Sequence, residues 1–249
     1  MGLFKGFVMS LGMFSIIPVP KNSWDDKRMP MVLPCLPLVG ALLGIIWYGL
    51  AYALALSPVP LMLQGAAVLF TPFVLSGFIH ADGYMDAADA VFSRRGLDEK
   101  KRILKDPHLG AFAVIAFVGL LIFQFSAAHA LMGGQKQLAA LIFIPIISRS
   151  VASAALLNIK PVFETGFNAS FRTGTKPRHT VFVCAVALAC LAAAWLMLGI
   201  AALPVAVGAL AGIVAVVYLR GQFKGMSGDL GGCAITVSEF AALLCLALI

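Results

Sequence analysis

Charged residues are scarce in this sequence, and two long stretches contain none at all. Asp, Glu, Lys and Arg form 12% of the 249 residues, while 61% of the residues are hydrophobic. Soluble domains have about 25% charged residues, so this composition excludes an ordinary soluble protein. Residues 29–79 and 180–219 lack all four charged types, and a membrane-spanning helix needs about 20 apolar residues. The sequence therefore predicts an all-α, polytopic transmembrane helix bundle.

A metal-like cysteine pattern and a cleavable signal segment are also absent. The five cysteines lie in apolar stretches, where we interpret them as small packing residues. Residues 2–17 are apolar apart from Lys5, but Pro18 and Pro20 follow instead of a small-residue cleavage site. We interpret this segment as an N-terminal interfacial or re-entrant helix, and the alternative is a helix that spans the membrane.

Seven apolar stretches are long enough to be spans, and turns or polar loops separate them. No internal repeat or low-complexity linker divides the chain, so we expect a single integral membrane catalytic domain over residues 1–249. The predicted spans are residues 31–56, 61–79, 110–132, 137–158, 180–198, 202–219 and 231–249.

The formal net charge of +7 is concentrated in alternate loops. Cytoplasmic loops are enriched in Lys and Arg. We therefore expect the basic segments in the cytosol and the C-terminus outside, in a cell inner (cytoplasmic) membrane. The positive charge then faces the lipid bilayer, and no nucleic-acid partner is implied. Ten of the eleven acidic residues share this side, so we expect the chemistry to face the cytosol. The basic segments are residues 1–30, 80–109, 159–179 and 220–230.

Three aspartates follow the second predicted span and form the first candidate site. Asp82, Asp86 and Asp89 stand at i, i+4 and i+7, so they share one face of a helix. No Lys or Arg lies between them, and their mutual repulsion favours a bound divalent cation. Carboxylates suit Mg²⁺, which often bridges them to substrate phosphates. The alternative interpretation is a solvated acidic helix face.

Two later segments contain further candidates. Lys105 and Asp106 lie close to the third predicted span, where a basic residue could hold phosphate; the alternative is ordinary juxtamembrane charge. In residues 224–232 a glycine-rich backbone around Asp229 permits close approach of a ligand. Glu239 follows inside the last span, where an acid is usually functional. The alternative for this segment is a glycine-rich turn with one paired acid.

Arg149 is the only basic residue well inside a predicted span. A charge in lipid needs an anionic partner, which we expect to be an aspartate of the first site or a substrate phosphate. The alternative is a residue that only closes the helix bundle. His80 precedes the aspartates, and a lone histidine at such a place is more often structural than catalytic.

In this order and on this hydrophobic scaffold, these segments resemble the cobalamin synthase family, adenosylcobinamide-GDP ribazoletransferase. The stretch from His80 to Asp89 is similar to the family's His-x-Asp-Gly-x-x-Asp-x-x-Asp signature. The chain departs from the family pattern at Ala90, Pro107 and Thr236, where Gly, Ser and Glu are usual. The resemblance covers nearly the whole chain, through residues 16–20, 37–40, 80–89, 103–110, 148–149 and 227–239.

The resemblance implies a membrane transferase that joins adenosylcobinamide-GDP to α-ribazole or its 5′-phosphate and releases GMP, with Mg²⁺ as cofactor. A homo-oligomer is compatible with the sequence. The expected metal ligands are Asp82, Asp86, Asp89, Asp229 and Glu239. The expected substrate-binding residues are His80, Arg149, Lys224, Gly228 and Asp229. The expected catalytic residues are Asp89, Lys105, Asp106 and Arg149.

Three other functions use related features. A CDP-alcohol phosphotransferase has an Asp-x-x-Asp-Gly-x-x-Ala-Arg pattern, but no Asp lies three residues before Asp82 and no Ala-Arg follows. A polyprenyl transferase has two Asp-rich motifs, and a second copy is missing here. A transporter would carry its acids deeper in several spans. Mg²⁺-dependent GMP release from adenosylcobinamide-GDP would distinguish these functions.

Overall fold

The computed structural model describes residues 2–134, 137–164, 171 and 174–249, and helices form most of this part. Within those ranges there is no β-strand, only an isolated bridge between Pro161 and Met226. The all-α prediction is therefore confirmed. The α-helices are α1 Gly2–Phe14, α2 Val32–Ala55, α3 Leu61–Leu75, α4 Ile79–Phe92, α5 Leu97–Ile103, α6 Ala111–Gly133, α7 Ala140–Asn158, α8 Pro177–Leu198, α9 Leu203–Phe223 and α10 Gly228–Leu248. Short 3₁₀ helices cover Asp26–Met31 and Gly199–Ala202.

Several helical stretches are long and apolar enough to cross a membrane. There are five in the described part of the chain, or six if the bent pair of α3 and α4 counts as one span. α1 has 13 residues, or about 20 Å at 1.5 Å per residue, which is shorter than the roughly 30 Å hydrocarbon core. The five are Asp26–Ala55, Ala111–Gly133, Ala140–Asn158, Pro177–Phe223 and Gly228–Leu248.

The longest of these stretches has 47 residues and folds back on itself. The chain reverses at Gly199, whose φ of 56° lies in the left-handed region that favours glycine. Near the start of α8, Thr180 donates a 3.2 Å hydrogen bond to Asn158 at the C-terminal end of α7. After α9, the amide of Met226 donates to the carbonyl of Lys160, just beyond that same end, at 2.9 Å. α8 and α9 thus correspond to the predicted spans 180–198 and 202–219.

The structure corrects the predicted span 61–79, because that segment does not form one helix. α3 ends at Leu75, and α4 starts four residues later at an angle of 89° to it. Gly77 and Phe78 both have a φ of 62°, which ends the α-helical path. The hydroxyl of Ser76 donates to the carbonyl of Pro72 at 2.9 Å within the last turn of α3. The break directs α4, which carries the three aspartates, across the bundle.

α7 forms the centre of the bundle, where it contacts α2, α8, α9 and α10. Its packing against α2 depends on Gly40 and Gly44. A side chain on either residue would overlap the backbone carbonyl of Pro145 or Ile142. Small residues let membrane helices approach closely in this way. The two backbones are therefore nearly in contact beside the middle of α7.

The two ends of the bundle differ in charge. At one end Gly133, the last residue of α6, faces Leu61 at the start of α3, near the uncharged turn 57–60. The opposite end brings together α4, Lys160 and the start of α10. In the bundle, the uncharged turn 57–60 therefore lies at one end and these charged segments lie at the other. Lys136 and residues 165–170 and 172–173, which belong to predicted loops, lie outside the described residues.

Candidate active site

Asp82, Asp86 and Asp89 lie on one face of α4, as their spacing predicted. Asp82 is exposed, and the other two are half-buried. Asp86 lies within electrostatic range of Asp82, Asp89 and also Asp229, which comes from α10. We call these four residues the aspartate cluster. The structure therefore joins the first predicted site to the glycine-rich segment that lies more than a hundred residues away in the sequence.

Asp229 reaches the cluster from the first turn of α10. Ser227 caps this helix by accepting a 3.3 Å hydrogen bond from the amide of Leu230. The Ser227 hydroxyl also donates to Oδ2 of Asp229 at 3.3 Å. The carboxylate is thus held at a helix N-terminus, a position that favours negative charge.

Two glycines allow α4 and α10 to lie this close together. A Cβ on Gly83 would come within 2.5 Å of the carbonyl oxygen of Asp229. A Cβ on Gly232 would come within 3.2 Å of the Cα of His80. Real Cβ atoms do not approach a backbone oxygen to 2.5 Å, so any side chain on Gly83 would force the two helices apart. The glycines therefore set the distance between the two parts of the cluster.

Asp89 lies against a different helix from the other aspartates. Both of its carboxylate oxygens occupy the space that a side chain on Gly110 would fill. Gly110 has extended backbone and directly precedes α6, so the carboxylate stands at the N-terminus of that helix. Helix N-termini stabilise nearby negative charge. The N-terminus of α6 thus partly compensates the negative charge of Asp89. On α4, Asp86 repels that same charge.

In the part of the chain that the structure describes, the aspartate cluster has no protein cation beside it. Among the residues that the structure describes, no Lys or Arg nitrogen lies within 4.0 Å of these four carboxylates. The donors are hard carboxylate oxygens, the type that Mg²⁺ prefers. In the described part of the chain, no three Asp, Glu, His or Cys side chains are placed closely enough to enclose an ion. The chemistry of the cluster therefore fits a Mg²⁺ ion that takes its remaining ligands from water and substrate phosphate.

A cavity of about 570 Å³ opens beside the cluster. It lies between α1, α2, α4, α7 and α10 and is lined mostly by apolar side chains. Four of the predicted site residues line it, namely His80, Lys105, Gly228 and Asp229. The ammonium of Lys105 stands 3.9 Å from the centre of the Phe163 ring, which fixes the side chain by a cation–π contact. The structure thus brings together predicted residues from three separate segments.

Arg149 and Glu239 form a buried ion pair, which corrects the partner predicted for each. Nη1 of Arg149 donates to Oε1 of Glu239, to Ser148 Oγ at 3.2 Å and to the Pro145 carbonyl at 3.3 Å. The Ser148 hydroxyl donates to the same Glu239 oxygen at 3.0 Å. Within the described residues, Arg149 therefore contacts no aspartate of the cluster. It also does not line the cavity beside the cluster. Glu239 is occupied by Arg149 instead of standing with the expected metal ligands.

Two other predicted site residues lie away from the cavity lining. Lys224 is exposed and ends α9 with a left-handed φ of 58°. Asp106 is exposed and accepts hydrogen bonds from the amide of His108 at 2.9 Å and from its Nδ1 at 2.7 Å. The hydrogen bond from the His108 amide, and after it the one from the His108 ring, hold the pKa of Asp106 below its usual value. The catalytic role of Asp106 and the substrate-binding role of Lys224 stay predictions.

Sequence reasoning missed the residues that bring the segments together. Gly83 and Gly110 were seen only as parts of motifs, although each is the contact point for an aspartate. A signal for the ion pair was present in the sequence. Arg149 is the only charged residue between Lys136 and Lys160, and no charged residue besides Glu239 follows Asp229. Two isolated opposite charges in apolar spans are expected to meet.

Comparison with known proteins identifies relatives over nearly the whole chain. Residues 6–247 match the family model described as cobalamin-5-phosphate synthase. An adenosylcobinamide-GDP ribazoletransferase from Clostridium botulinum (strain Alaska E43) is 36% identical over 245 residues, covering 97% of this chain and 96% of its own. The protein of the same name from Clostridium perfringens (strain SM101) is 33% identical over 249 residues, with 99% and 98% covered. One from Geobacillus sp. (strain WCH70) is 30% identical, with 93% and 91% covered.

No solved structure matches the chain. The sequence matches nevertheless extend over nearly its whole length and include every segment of the aspartate cluster. The chain is a multi-pass membrane protein that belongs to the cobalamin-5-phosphate synthase family.

Proposed function

We propose that this protein joins adenosylcobinamide-GDP to α-ribazole or its 5′-phosphate, releasing GMP and forming adenosylcobalamin or its 5′-phosphate. The observation that carries this proposal is the aspartate cluster beside the 570 Å³ cavity, within a chain of this family. The family match supports this transferase over the CDP-alcohol phosphotransferase and transporter alternatives.

The reaction breaks the phosphoanhydride bond of the donor diphosphate and forms a phosphodiester bond to the acceptor. A ribose hydroxyl of the acceptor attacks the phosphate attached to cobinamide, the bond from that phosphate to GMP breaks, and the hydroxyl proton is lost. Phosphoryl transfer depends mainly on positioning and on compensation of charge. A carboxylate at hydrogen-bond distance from the hydroxyl can accept its proton. We assign this role to Asp89, because its carboxylate lies against Gly110 at the N-terminus of α6, whereas Asp229 comes from α10.

We propose that Asp82 and Asp86 would hold Mg²⁺, with Asp229 beside them in the aspartate cluster. The bound ion would neutralise the diphosphate and the charge that develops on departing GMP. Lys105 is the basic residue at the cavity mouth, and we assign it to a substrate phosphate. The Arg149–Glu239 pair lies deeper, where it joins α7 to α10 and so positions Asp229 at the start of α10.

We also propose that the charged end of the bundle faces the cytosol in the inner membrane, with the C-terminus outside. The enrichment of Lys and Arg in the segments at this end supports this orientation. Adenosylcobinamide-GDP and α-ribazole 5′-phosphate carry charged phosphates and do not cross lipid, so a cytosolic site gives them direct access.

The purified protein in liposomes tests the proposed function directly. With adenosylcobinamide-GDP and Mg²⁺, GMP should appear only when α-ribazole or its 5′-phosphate is added, in equal amount to the corrinoid product. GMP release that does not depend on the acceptor would indicate a hydrolase. An absence of product with both acceptors would contradict the proposal.

A further inference from the structure

The cavity beside the aspartate cluster has two chemically different ends. Leu36 and Ala152 line it and are 1% and 0% exposed, so they belong to a closed apolar floor. Lys105 and Gly228 also line it and are exposed, so they mark its open mouth. Asp229, half-buried, lies on the same lining. A ligand that fits must therefore be apolar at one end and polar or anionic at the other.

Aromatic side chains line the cavity from three separate segments. Phe14 comes from the end of α1, Phe163 follows α7, and Phe171 lies before α8. Flat aromatic ligands pack well against such rings, in offset or edge-to-face arrangements. The cavity is thus suited to a planar apolar group more than to a flexible acyl chain.

His80 supplies a polar group at the inner part of this apolar space. The residue is 7% exposed and lines the cavity. Its backbone carbonyl accepts from Thr236 at 3.0 Å, but its ring makes no hydrogen bond with the residues that the structure describes. An imidazole in such a place is available to a ring nitrogen of a bound ligand. Binding sites commonly combine an apolar lining with a few polar groups of this kind.

We propose that this cavity is the subsite for the base of the acceptor nucleoside. The flat benzimidazole of α-ribazole lies against the aromatic side chains, and His80 hydrogen-bonds to its free ring nitrogen. The ribose, or its 5′-phosphate, points to Asp229 and Lys105 at the mouth. This assignment rests on the proposed function and adds which substrate occupies the cavity.

Size separates the acceptor from the donor. The 570 Å³ volume lies within the range of about 300–1,000 Å³ that single small ligands occupy. Adenosylcobinamide-GDP carries a corrin macrocycle, an adenosyl group and a guanine nucleotide, which together exceed this space. The donor therefore approaches the aspartate cluster from outside the cavity, and the acceptor base occupies its floor. The reacting groups of the two substrates then come together beside Asp229.

Filling the cavity floor tests the assignment by separating the two KM values. Ala152→Leu adds bulk to a fully buried lining position. The KM for α-ribazole should rise by about tenfold or more, the usual effect of misfit in an apolar pocket. The KM for adenosylcobinamide-GDP should stay within about twofold. A rise in the donor KM instead, or no change in either, would overturn the proposal.

A matched control fills a different cavity of the same bundle. Ala211→Leu adds the same bulk in the apolar groove between α4 and α9, and should leave both KM values unchanged. If Ala152→Leu does not accumulate, Leu156→Ala enlarges the floor instead. That variant should gain preference for an acceptor with a wider, naphthimidazole base. An unchanged preference would contradict the subsite.

Equilibrium binding of α-ribazole keeps this proposal separate from the proposed function. Wild-type protein should bind α-ribazole without donor, and His80→Ala should bind it about tenfold more weakly. Failure of wild-type turnover with intact α-ribazole binding would contradict the reaction but not the subsite. Turnover in wild type with α-ribazole binding unaltered by both Ala152→Leu and His80→Ala would contradict only the subsite.

Discussion

The ion pair of Arg149 and Glu239 shows how single residues are accommodated in this bundle. A guanidinium at mid-membrane is costly, and here it is 0% exposed and pairs with a 5% exposed carboxylate. Ser148 and the carbonyl of Pro145 supply further hydrogen bonds. Removing one member of a buried pair leaves the other charge without compensation. The pair is therefore expected to matter for folding as one unit.

A double-mutant comparison tests that expectation. Arg149→Met alone, or Glu239→Met alone, should destabilise the protein by about 3–5 kcal/mol. The double variant Arg149→Met/Glu239→Met should recover most of this loss, because neither charge is then buried alone. Thermal unfolding in detergent measures the effect. Recovery of stability together with full activity would confirm that the pair only joins α7 to α10. A stable but inactive double variant would mean that Arg149 also contacts substrate.

The repulsion within the aspartate cluster gives a second prediction at the residue scale. Asp86 stands within electrostatic range of three other carboxylates and has no protein cation beside it in the described chain. Asp86→Asn removes one of the like charges, so metal-free protein should unfold at a higher temperature. The same change at Asp26, which is exposed and outside the cluster, is the control. An equal or lower unfolding temperature for Asp86→Asn would argue against a strained, uncompensated cluster.

At the scale of helices, glycine contacts decide how the site is assembled. Gly83 in α4 meets the backbone of Asp229, and Gly110 before α6 meets the Asp89 carboxylate. The spacing of the aspartates predicted their common helical face, because that depends only on local periodicity. Their meeting with Asp229 and Gly110 could not be predicted, because it depends on how distant helices pack. The helix break at Gly77 and Phe78 was also missed. A single glycine is the only helix-breaking residue at that point of the sequence, and one glycine does not by itself predict a break.

Gly83→Ala tests the close approach of α4 and α10. The new Cβ would meet the carbonyl of Asp229 at 2.5 Å, so the helices must separate. Turnover should fall at least tenfold and the unfolding temperature should drop. Gly49→Ala in α2 is the matched control, because nothing lies within 4 Å of the added Cβ. A helical Gly→Ala change of that kind is neutral or stabilising by up to about 1 kcal/mol. Equal behaviour of the two variants would contradict the glycine contact.

For the whole molecule, composition predicted the class of fold, while charge distribution predicted its orientation. The scarcity of charge identified a membrane bundle, and the reversal at Gly199 agreed with the predicted pair of spans. The orientation follows from electrostatics at the membrane surface, which acts on the loops as a set. It does not depend on any single side chain, and it stays a prediction.

Cysteine labelling in cells tests that orientation. Arg95→Cys lies in the charged region after α4, and Pro58→Cys lies in the uncharged turn between α2 and α3. An impermeant maleimide should label Pro58→Cys in intact cells, and Arg95→Cys only after permeabilisation. A variant lacking both introduced cysteines controls for the five native ones. The opposite labelling pattern would reverse the proposed topology.

We propose that the aspartate cluster holds the cation needed for transfer. Initial rates of GMP release should be measured against Mg²⁺ concentration, with saturating donor and acceptor, for wild type, Asp82→Asn and the control Asp26→Asn. Wild type and the control should show no release in EDTA and full recovery with Mg²⁺. Asp82→Asn should show a rate lower by orders of magnitude at any Mg²⁺ concentration. Release that persists in EDTA, or a wild-type rate in Asp82→Asn, would contradict the claim.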